Sequence, residues 1–355
     1  MTTLSEAYRD HPIHLHHIIP LDFDSVQAVP DSHVWPQSDK YSPSSGVLLP
    51  SDEHFSIPII DLMDPTAAAR VRHACETWGA FQLTSHGVSS CLLEDVEHEA
   101  RRLFSLPARQ KMKALRLPSG ATGYGLARIS PFFNKFMWHE GFTIMGSSAD
   151  HARELWPYEY KRFCDVMDNY QTKMKALAER LLLLILESLD ISKEEMNYSS
   201  LVHASEKGAC TALQLNNYPS CPNPNQAMGL APHTDTSLFT ILHQSDTMGL
   251  QIFQDGVGWV SVCPIANALV VNVGDLLHIL SNARFHSVLH RAVVNQTQHR
   301  LSIAYFYGLP ADSQVSPASK LVGSGQLPIY RSLMVKEYIK MKAEHLDKAL
   351  SLIRI

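Results

Sequence analysis

The sequence predicts an α+β protein whose core is mainly β, a sandwich or barrel, with helices at its flanks. Three observations carry that prediction. Between about residue 205 and Leu309 the chain breaks into strand-like segments divided by turns: "TALQLNNYP", "TSLFTILHQ", "LQIF", "GWVSV", "ALVVNVGDLLHIL", "HSVLHRAVVN" and "RLSIAYFYG". Many short strands at close intervals favour a sandwich or barrel over βαβ units. Upstream, Met167, Met174, Leu177, Leu181 and Leu184 recur at helical spacing within residues 158–189. A composition of 45% hydrophobic and 18% charged residues over 355 positions suits an ordinary core.

Residues 1–56, rich in Pro, Ser, His and Asp, read as an N-terminal extension, and the dense histidines of "HPIHLHHIIP" (His11 to Pro20) read as a surface tail. Order begins with "IPIIDL" (Ile57 to Leu62), a short β-branched run. Asp64 can then cap and Pro65 open a helix that ends near Gly79. "AFQLTSHGV" reads as a second strand closed by a turn at Gly87, and helices follow over Leu92–Leu106 and Tyr158–Leu189, so that residues 57–204 form a mixed region. Residues 205–310 hold the β core, with Gly274 and Asp275 of "NVGDLL" read as a turn between strands. Residues 311–355 close the chain with a helix over Ser332–Leu350.

A net charge of −5 with no Lys/Arg block argues against nucleic acid or a membrane surface as partner. Six cysteines without a CxxC pair read as reduced thiols. The start of the chain lacks the apolar core of a signal peptide, and the most apolar run, "LLLLIL" (Leu181 to Leu186), is far short of the roughly 20 residues that span a bilayer. The expectation is a soluble cytoplasmic monomer.

Chemistry concentrates in "LAPHTDTSLFTIL" (Leu230 to Leu242). Read as a strand, it turns His233 and Asp235 to one face, where an imidazole and a carboxylate are metal ligands. A third ligand should come from a later strand, and His290 in "HSVLHRAVVN" is the best candidate, with His286 as fallback. Two histidines and a carboxylate form the facial triad of non-haem Fe(II) oxygenases, although a zinc hydrolase could use similar ligands. "RLSIAYFYG" favours the oxygenase. Its alternation puts Arg300, Ser302, Ala304 and Phe306 on one face, and an inward arginine followed by a hydroxyl fits a planar carboxylate. Any one of these residues in a strand is more often a hydrogen-bonded core residue; together they make coincidence improbable.

His233 to Asp235, His290 and Arg300 to Ser302 resemble the HxD...H and RxS signature of the 2-oxoglutarate- and Fe(II)-dependent dioxygenases, and "NNYPSCP" (Asn216 to Pro222) resembles the NYYPxCP box of their plant branch. "IPIIDL", "ACETWGAFQLTSHGV" and "LVVNVGDLLHILSN" match further. More narrowly, "GYGLARISPFFNKFMWHEGFTIMGS" (Gly123 to Ser147), "MGLAPHTDTSLFTILHQ" and "PASKLVG" are similar to gibberellin 3-beta-dioxygenases, and the likeness runs from about Asp31 to Ile355.

The resemblance implies a double-stranded β-helix, or jelly roll, with flanking helices. It implies that His233, Asp235 and His290 bind Fe(II), that Arg300 and Ser302 hold the distal carboxylate of 2-oxoglutarate, and that Asn216 and Tyr218 contact that co-substrate. Asn217 stands where a tyrosine is frequent, and Pro232 where alanine is common. The implied reaction couples O2-dependent decarboxylation of 2-oxoglutarate to succinate and CO2 with 3-beta-hydroxylation of a gibberellin, a small diterpenoid acid, with ascorbate as reductant. Oxidation at another gibberellin position, a flavonoid substrate, or a catalytically silent hormone-binding protein are the alternatives. A rigid apolar acid calls for a greasy pocket with few polar anchors, and Tyr124, Arg128, Phe133, Trp138 and Phe306 are the candidate substrate contacts.

Overall fold

A large sheet and a small one pack face to face and leave a cavity between them. The computed structural model describes residues 11–36, 56–191, 210–322 and 326–355. The large sheet draws on β1 (Ile59–Asp61), β2 (Ala80–Thr84), β3 (Gly123–Gly125), β4 (Glu140–Ile144) and β5 (Cys210–Tyr218). The small sheet begins with β6 (Leu230–His233); β7 (Phe239–Gln244) returns to the large one. β8 (Leu250–Gln254) and β9 (Gly258–Ser261) belong to the small sheet, β10 (Leu269–Val273) to the large, β11 (His290–Ala292) to the small and β12 (Arg300–Gly308) to the large. The orders are β1-β2-β10-β7-β12-β5-β4-β3 and β6-β11-β8-β9. This is the two-sheet arrangement of a jelly roll.

The alternation of β12 decides what faces where. Leu301, Ile303, Tyr305 and Tyr307 enter the main core, which also takes Met167, Tyr170, Met174, Leu177 and Leu181 of the helix Tyr160–Ser188. The opposite face carries Arg300, Ser302, Ala304 and Phe306 into the cavity. Antiparallel pairing with β5 sets Arg300 opposite Tyr218 and Ser302 opposite Asn216. Two strands thereby place four polar residues in a small area on one face.

The folded chain differs from the sequence reading in several places. The strand through His233 ends there: Thr234 to Leu238 bend, and β7 starts at Phe239. "HSVLHRAVVN" yields only three strand residues. Gly274 and Asp275 open the helix Asp275–Leu280 instead of a turn between strands. A Cβ on Gly274 would overlap the Ser237 carbonyl oxygen, so only glycine lets the helix start press against the bend Thr234 to Leu238. Pro232 sits in β6, an edge strand of the small sheet, where no neighbour needs its missing N–H.

"HPIHLHHIIP" is no surface tail. Ile18 is fully buried, Leu126 N–H donates to the Ile18 carbonyl at 2.8 Å, and Ile13 N–H donates to Pro118 O at 3.0 Å. Further along, Trp35 is buried beside Met137 and Met228, and its indole N–H donates to Phe136 O. The helix read over Ser332–Leu350 starts at Val335, three residues later, and ends at His345, with a short separate helix Ala349–Leu352 after it. Among the described residues no helix is long and apolar enough to cross a membrane, and all six cysteines are free thiols.

Candidate active site

His233 ends β6 and His290 begins β11, and the antiparallel register sets them opposite one another. Their rings lie 4.3 Å apart, centre to centre. Asp235, two residues past the strand end, swings back so that Oδ1 lies 3.6 Å from His233 Nε2 and 3.8 Å from His290 Nε2. One ligand atom from each residue falls within 4.8 Å of the others, and among the described residues this is the one group of His, Cys, Asp or Glu arranged to hold a metal ion. The expected trio is thus brought together, although Asp235 arrives through a bend and not through strand periodicity. His286, the fallback ligand, is exposed and outside the cluster.

The protonation pattern suits a cation. His233 Nδ1 lies 2.8 Å from the Ala231 carbonyl and His290 Nδ1 lies 3.1 Å from that of Val288. A carbonyl only accepts, so each Nδ1 carries the proton and each Nε2 turns its lone pair to the centre. Burial, reinforced by the neighbouring His290, lowers the pKa of His233 to about 4, which leaves that ring neutral at physiological pH. Asp235 Oδ2 accepts from Thr240 Oγ1 at 2.6 Å, which orients the carboxylate with Oδ1 toward the two rings.

A buried network braces these ligands. Asp275 N–H donates to the Asp235 carbonyl at 2.8 Å. The Asp275 carboxylate accepts from Ser287 Oγ (2.6 Å) and Tyr338 OH (2.8 Å), and pairs with Lys342 Nζ at 2.9 Å. Lys342 also donates to Thr234 Oγ1, and Asp347 Oδ1 accepts from Thr234 N–H at 3.1 Å. The bend holding Asp235 and the segment before His290 are therefore tied to one helix, Val335–His345. Asp275, read as a turn residue, and Lys342 were both missed; nothing local in their sequence marks them as partners.

Behind the metal cluster, Arg300 is 2% exposed. Its Nη2 donates to Gln244 Oε1 at 2.8 Å, its Cζ sits 5.2 Å from the Tyr218 ring centre, and its Nε has no acceptor. Burial depresses its pKa. A buried guanidinium with an unfilled N–H at a cavity wall fits a carboxylate ligand. Ser302 Oγ and Asn216 Nδ2 stand 3.5 Å apart on the same surface, and both line the cavity with Tyr218. Asn216 Oδ1 accepts from Gln214 Nε2 (3.1 Å) and from His139 Nε2 (3.0 Å). His139, fully buried with its pKa lowered to about 4 by burial, was also missed; its sequence signal is only its place in "FMWHEG".

The cavity measures about 610 Å³, within the range of ligand pockets. Of the five residues read as substrate contacts, Phe306 and Arg128 line it. Arg128 donates to the Gly120 carbonyl and, at 3.5 Å, to that of His11. The other three do not line it: Tyr124 and Trp138 are buried and Phe133 is half-buried. Tyr124 donates to Glu140 Oε2 at 2.5 Å in a cluster with Lys111 and Asn217, which also gives Asn217 its role. Trp138 is buried under Phe23 and donates to Pro219 O. Phe133 packs on Trp35. Aromatic side chains are spent on the core wherever packing offers them partners.

A sequence model described as the 2OG-Fe(II) oxygenase superfamily matches residues 210–309, and one described as the non-haem dioxygenase N-terminal region in morphine synthesis matches residues 57–162. Gibberellin 3-beta-dioxygenase 1 of Pisum sativum is 50% identical over 355 residues, covering 100% of this chain and 94% of that protein. Gibberellin 3-beta-dioxygenase 1 of Arabidopsis thaliana is 49% identical over 351 residues, 99% of this chain and 98% of that one. The chain belongs to the 2OG-Fe(II) oxygenase superfamily, in the gibberellin 3-beta-dioxygenase family. This dioxygenase is an iron- and 2-oxoglutarate-dependent enzyme. Its fold is similar to the crystal structure of JOX2 in complex with 2OG, Fe and JA, with a TM-score of 0.77 at 26% identity over 93% of this chain and 95% of that one. It is also similar to the dioxygenase for auxin oxidation in rice, with a TM-score of 0.70 at 26% identity over 84% and 100%.

Proposed function

We propose that this dioxygenase hydroxylates a gibberellin precursor at the 3-beta position. The observation that supports the reading most directly is a His233/Asp235/His290 cluster opening into a cavity of about 610 Å³ whose far walls are largely apolar, in a chain 50% identical to a gibberellin 3-beta-dioxygenase over its full length. The substrate is then a diterpenoid acid. Six free thiols agree with a reducing, cytoplasmic setting.

Fe(II) and 2-oxoglutarate, when bound, supply the oxidising chemistry, in which O2 is used to decarboxylate the co-substrate to succinate and CO2 and to hydroxylate a C–H bond. The residues supply geometry. His233, Asp235 and His290 would hold the ion through two imidazole nitrogens and a carboxylate oxygen. Arg300 and Ser302 take the distal carboxylate, and this supplies the guanidinium with the anion that its burial demands. Asn216 and Tyr218 flank the same co-substrate, with Asn216 held in its orientation by His139. Phe306, on the β12 face that carries Arg300 and Ser302, presses the substrate from the co-substrate side, and Arg128 lies at the outer rim. Regiochemistry follows from which C–H these walls leave nearest the ion.

The test is product analysis by liquid chromatography and mass spectrometry after incubating the protein with Fe(II), ascorbate, 2-oxoglutarate and a panel of gibberellins. The expected result is a 3-beta-hydroxylated product with one succinate per product. A product oxidised at another position, or succinate without any oxidised gibberellin, overturns the reading.

A further inference from the structure

Both family matches leave out the start of the chain: the earlier begins at residue 57. Yet His11, Pro12, Ile13, His14 and His17 line the same cavity as the metal cluster and Arg300. We propose that the segment His11–Ile18 is a substrate-selecting wall of this dioxygenase, with Ile13 as the residue that meets the gibberellin skeleton; this rests on the gibberellin reading above.

Several contacts hold the segment in place. At its end, Ile18 is fully buried and its carbonyl accepts from Leu126 N–H. A Cβ on Gly125 would come within 2.8 Å of that carbonyl oxygen, so the closeness of the seat depends on glycine there. In the middle, Ile13 N–H bonds Pro118 O, and His17 Nδ1 lies 3.1 Å from Ser130 Oγ. At its start, His11 O accepts from Arg128, and His11 Nε2 approaches Glu344 Oε1 at 3.4 Å on the helix Val335–His345. The segment thus runs from the Gly123–Pro131 region to the helix Val335–His345, whose Val335, Ile339 and Ala343 line the cavity too.

The side chains divide by direction. Ile13 is half-buried and lines the cavity, whereas Leu15 is 53% exposed and Ile19 41% exposed. A chain that keeps an isoleucine against the cavity beside polar histidines has the make-up of a binding wall: an apolar contact for a rigid hydrocarbon with hydrogen-bonding groups near it. The wall is distinct in sequence from β5, β6, β11 and β12, which carry the metal and co-substrate groups. Changes in it should therefore alter which substrate is accepted and leave iron and 2-oxoglutarate binding intact.

Three variants of the full-length protein test this: Ile13→Ala, Ile13→Trp, and Ile19→Ala as the outward-facing control just outside the wall. KM and kcat for the gibberellin precursor are measured beside KM for 2-oxoglutarate and the anaerobic Fe(II)–2-oxoglutarate charge-transfer absorbance. Ile13→Ala is expected to raise the gibberellin KM about tenfold, the usual scale for removing part of an apolar pocket contact. Ile13→Trp is expected to raise it further. In both, the absorbance band and the 2-oxoglutarate KM stay at wild-type values, and Ile19→Ala matches wild type throughout. An unchanged gibberellin KM in both Ile13 variants overturns the proposal, as does an equal loss of 2-oxoglutarate binding, which would make the segment a general brace. Wild-type protein that oxidises no gibberellin overturns the parent reading and this one with it, an outcome distinct from active wild type with indifferent variants.

Discussion

The two ends of the cavity are built by different means. At the metal and co-substrate end, every polar group comes from the β core or its connecting bends: His233 and His290 face each other across one pair of strands, and Arg300, Ser302, Asn216 and Tyr218 across another. Strand register sets each of these pairs opposite one another, and a braced bend brings in Asp235. At the end proposed for the substrate the walls come from segments scattered along the chain, including His11 to His14 with His17, Arg128 with Phe132, Phe306 and the helix Val335–His345. The first end suits a co-substrate that never changes. The second can be altered piece by piece without touching the chemistry.

The sharpest way to break this division is Asp235→Ala, which removes one of three ligands and should lower kcat/KM by roughly a thousandfold or more, with loss of Fe(II) binding on anaerobic titration. Arg300→Gln comes next. Losing a charge-assisted pair should raise the 2-oxoglutarate KM by about 10- to 100-fold while the gibberellin KM holds. Lys342→Met reaches the metal only through Thr234 and Asp275, and should weaken Mn(II) or Co(II) affinity by about tenfold, the effect usual for a group that orients ligands; Lys342→Arg should recover most of it. Smallest in activity is Trp138→Phe. With its indole bonded to Pro219 and no part in the cavity wall, it should cost about 1–2 kcal/mol of stability in a denaturant melt and leave both KM values unchanged. A raised gibberellin KM there would return Trp138 to the substrate site.

How much of this was legible in the sequence follows the same division. Period-two alternation in "RLSIAYFYG" placed Arg300, Ser302 and Phe306 on the cavity face because a strand leaves a side chain only two directions. His233 and Asp235 were paired correctly, but the geometry comes from a bend held by Thr240 and by Asp275 N–H, contacts made by residues close in sequence in one case and 40 positions on in the other. Tyr124, Phe133 and Trp138 illustrate what local sequence lacks. An aromatic ring serves a core or a binding wall equally well, and only the tertiary partners, Glu140, Trp35 and Pro219 here, decide which. The histidine run at the start was misread because its density hid the fully buried Ile18 that helps to seat it.

The brace beneath the metal cluster also makes the C-terminal helix a participant in binding equilibria, although it supplies no ligand. Lys342 and Tyr338 meet on Asp275, whose backbone N–H fixes Asp235 and whose carboxylate holds Ser287, three residues before His290. Any excursion that peels Val335–His345 away strands a buried carboxylate and loosens all three ligand positions at once, so an ion that binds only the closed form must suppress that excursion. Amide hydrogens of this helix should therefore exchange more slowly when Mn(II) is added, and those of the distant helix Ser90–Phe104 should not respond. The tail end of the chain would then serve as a reporter of metal occupancy some way from the metal itself.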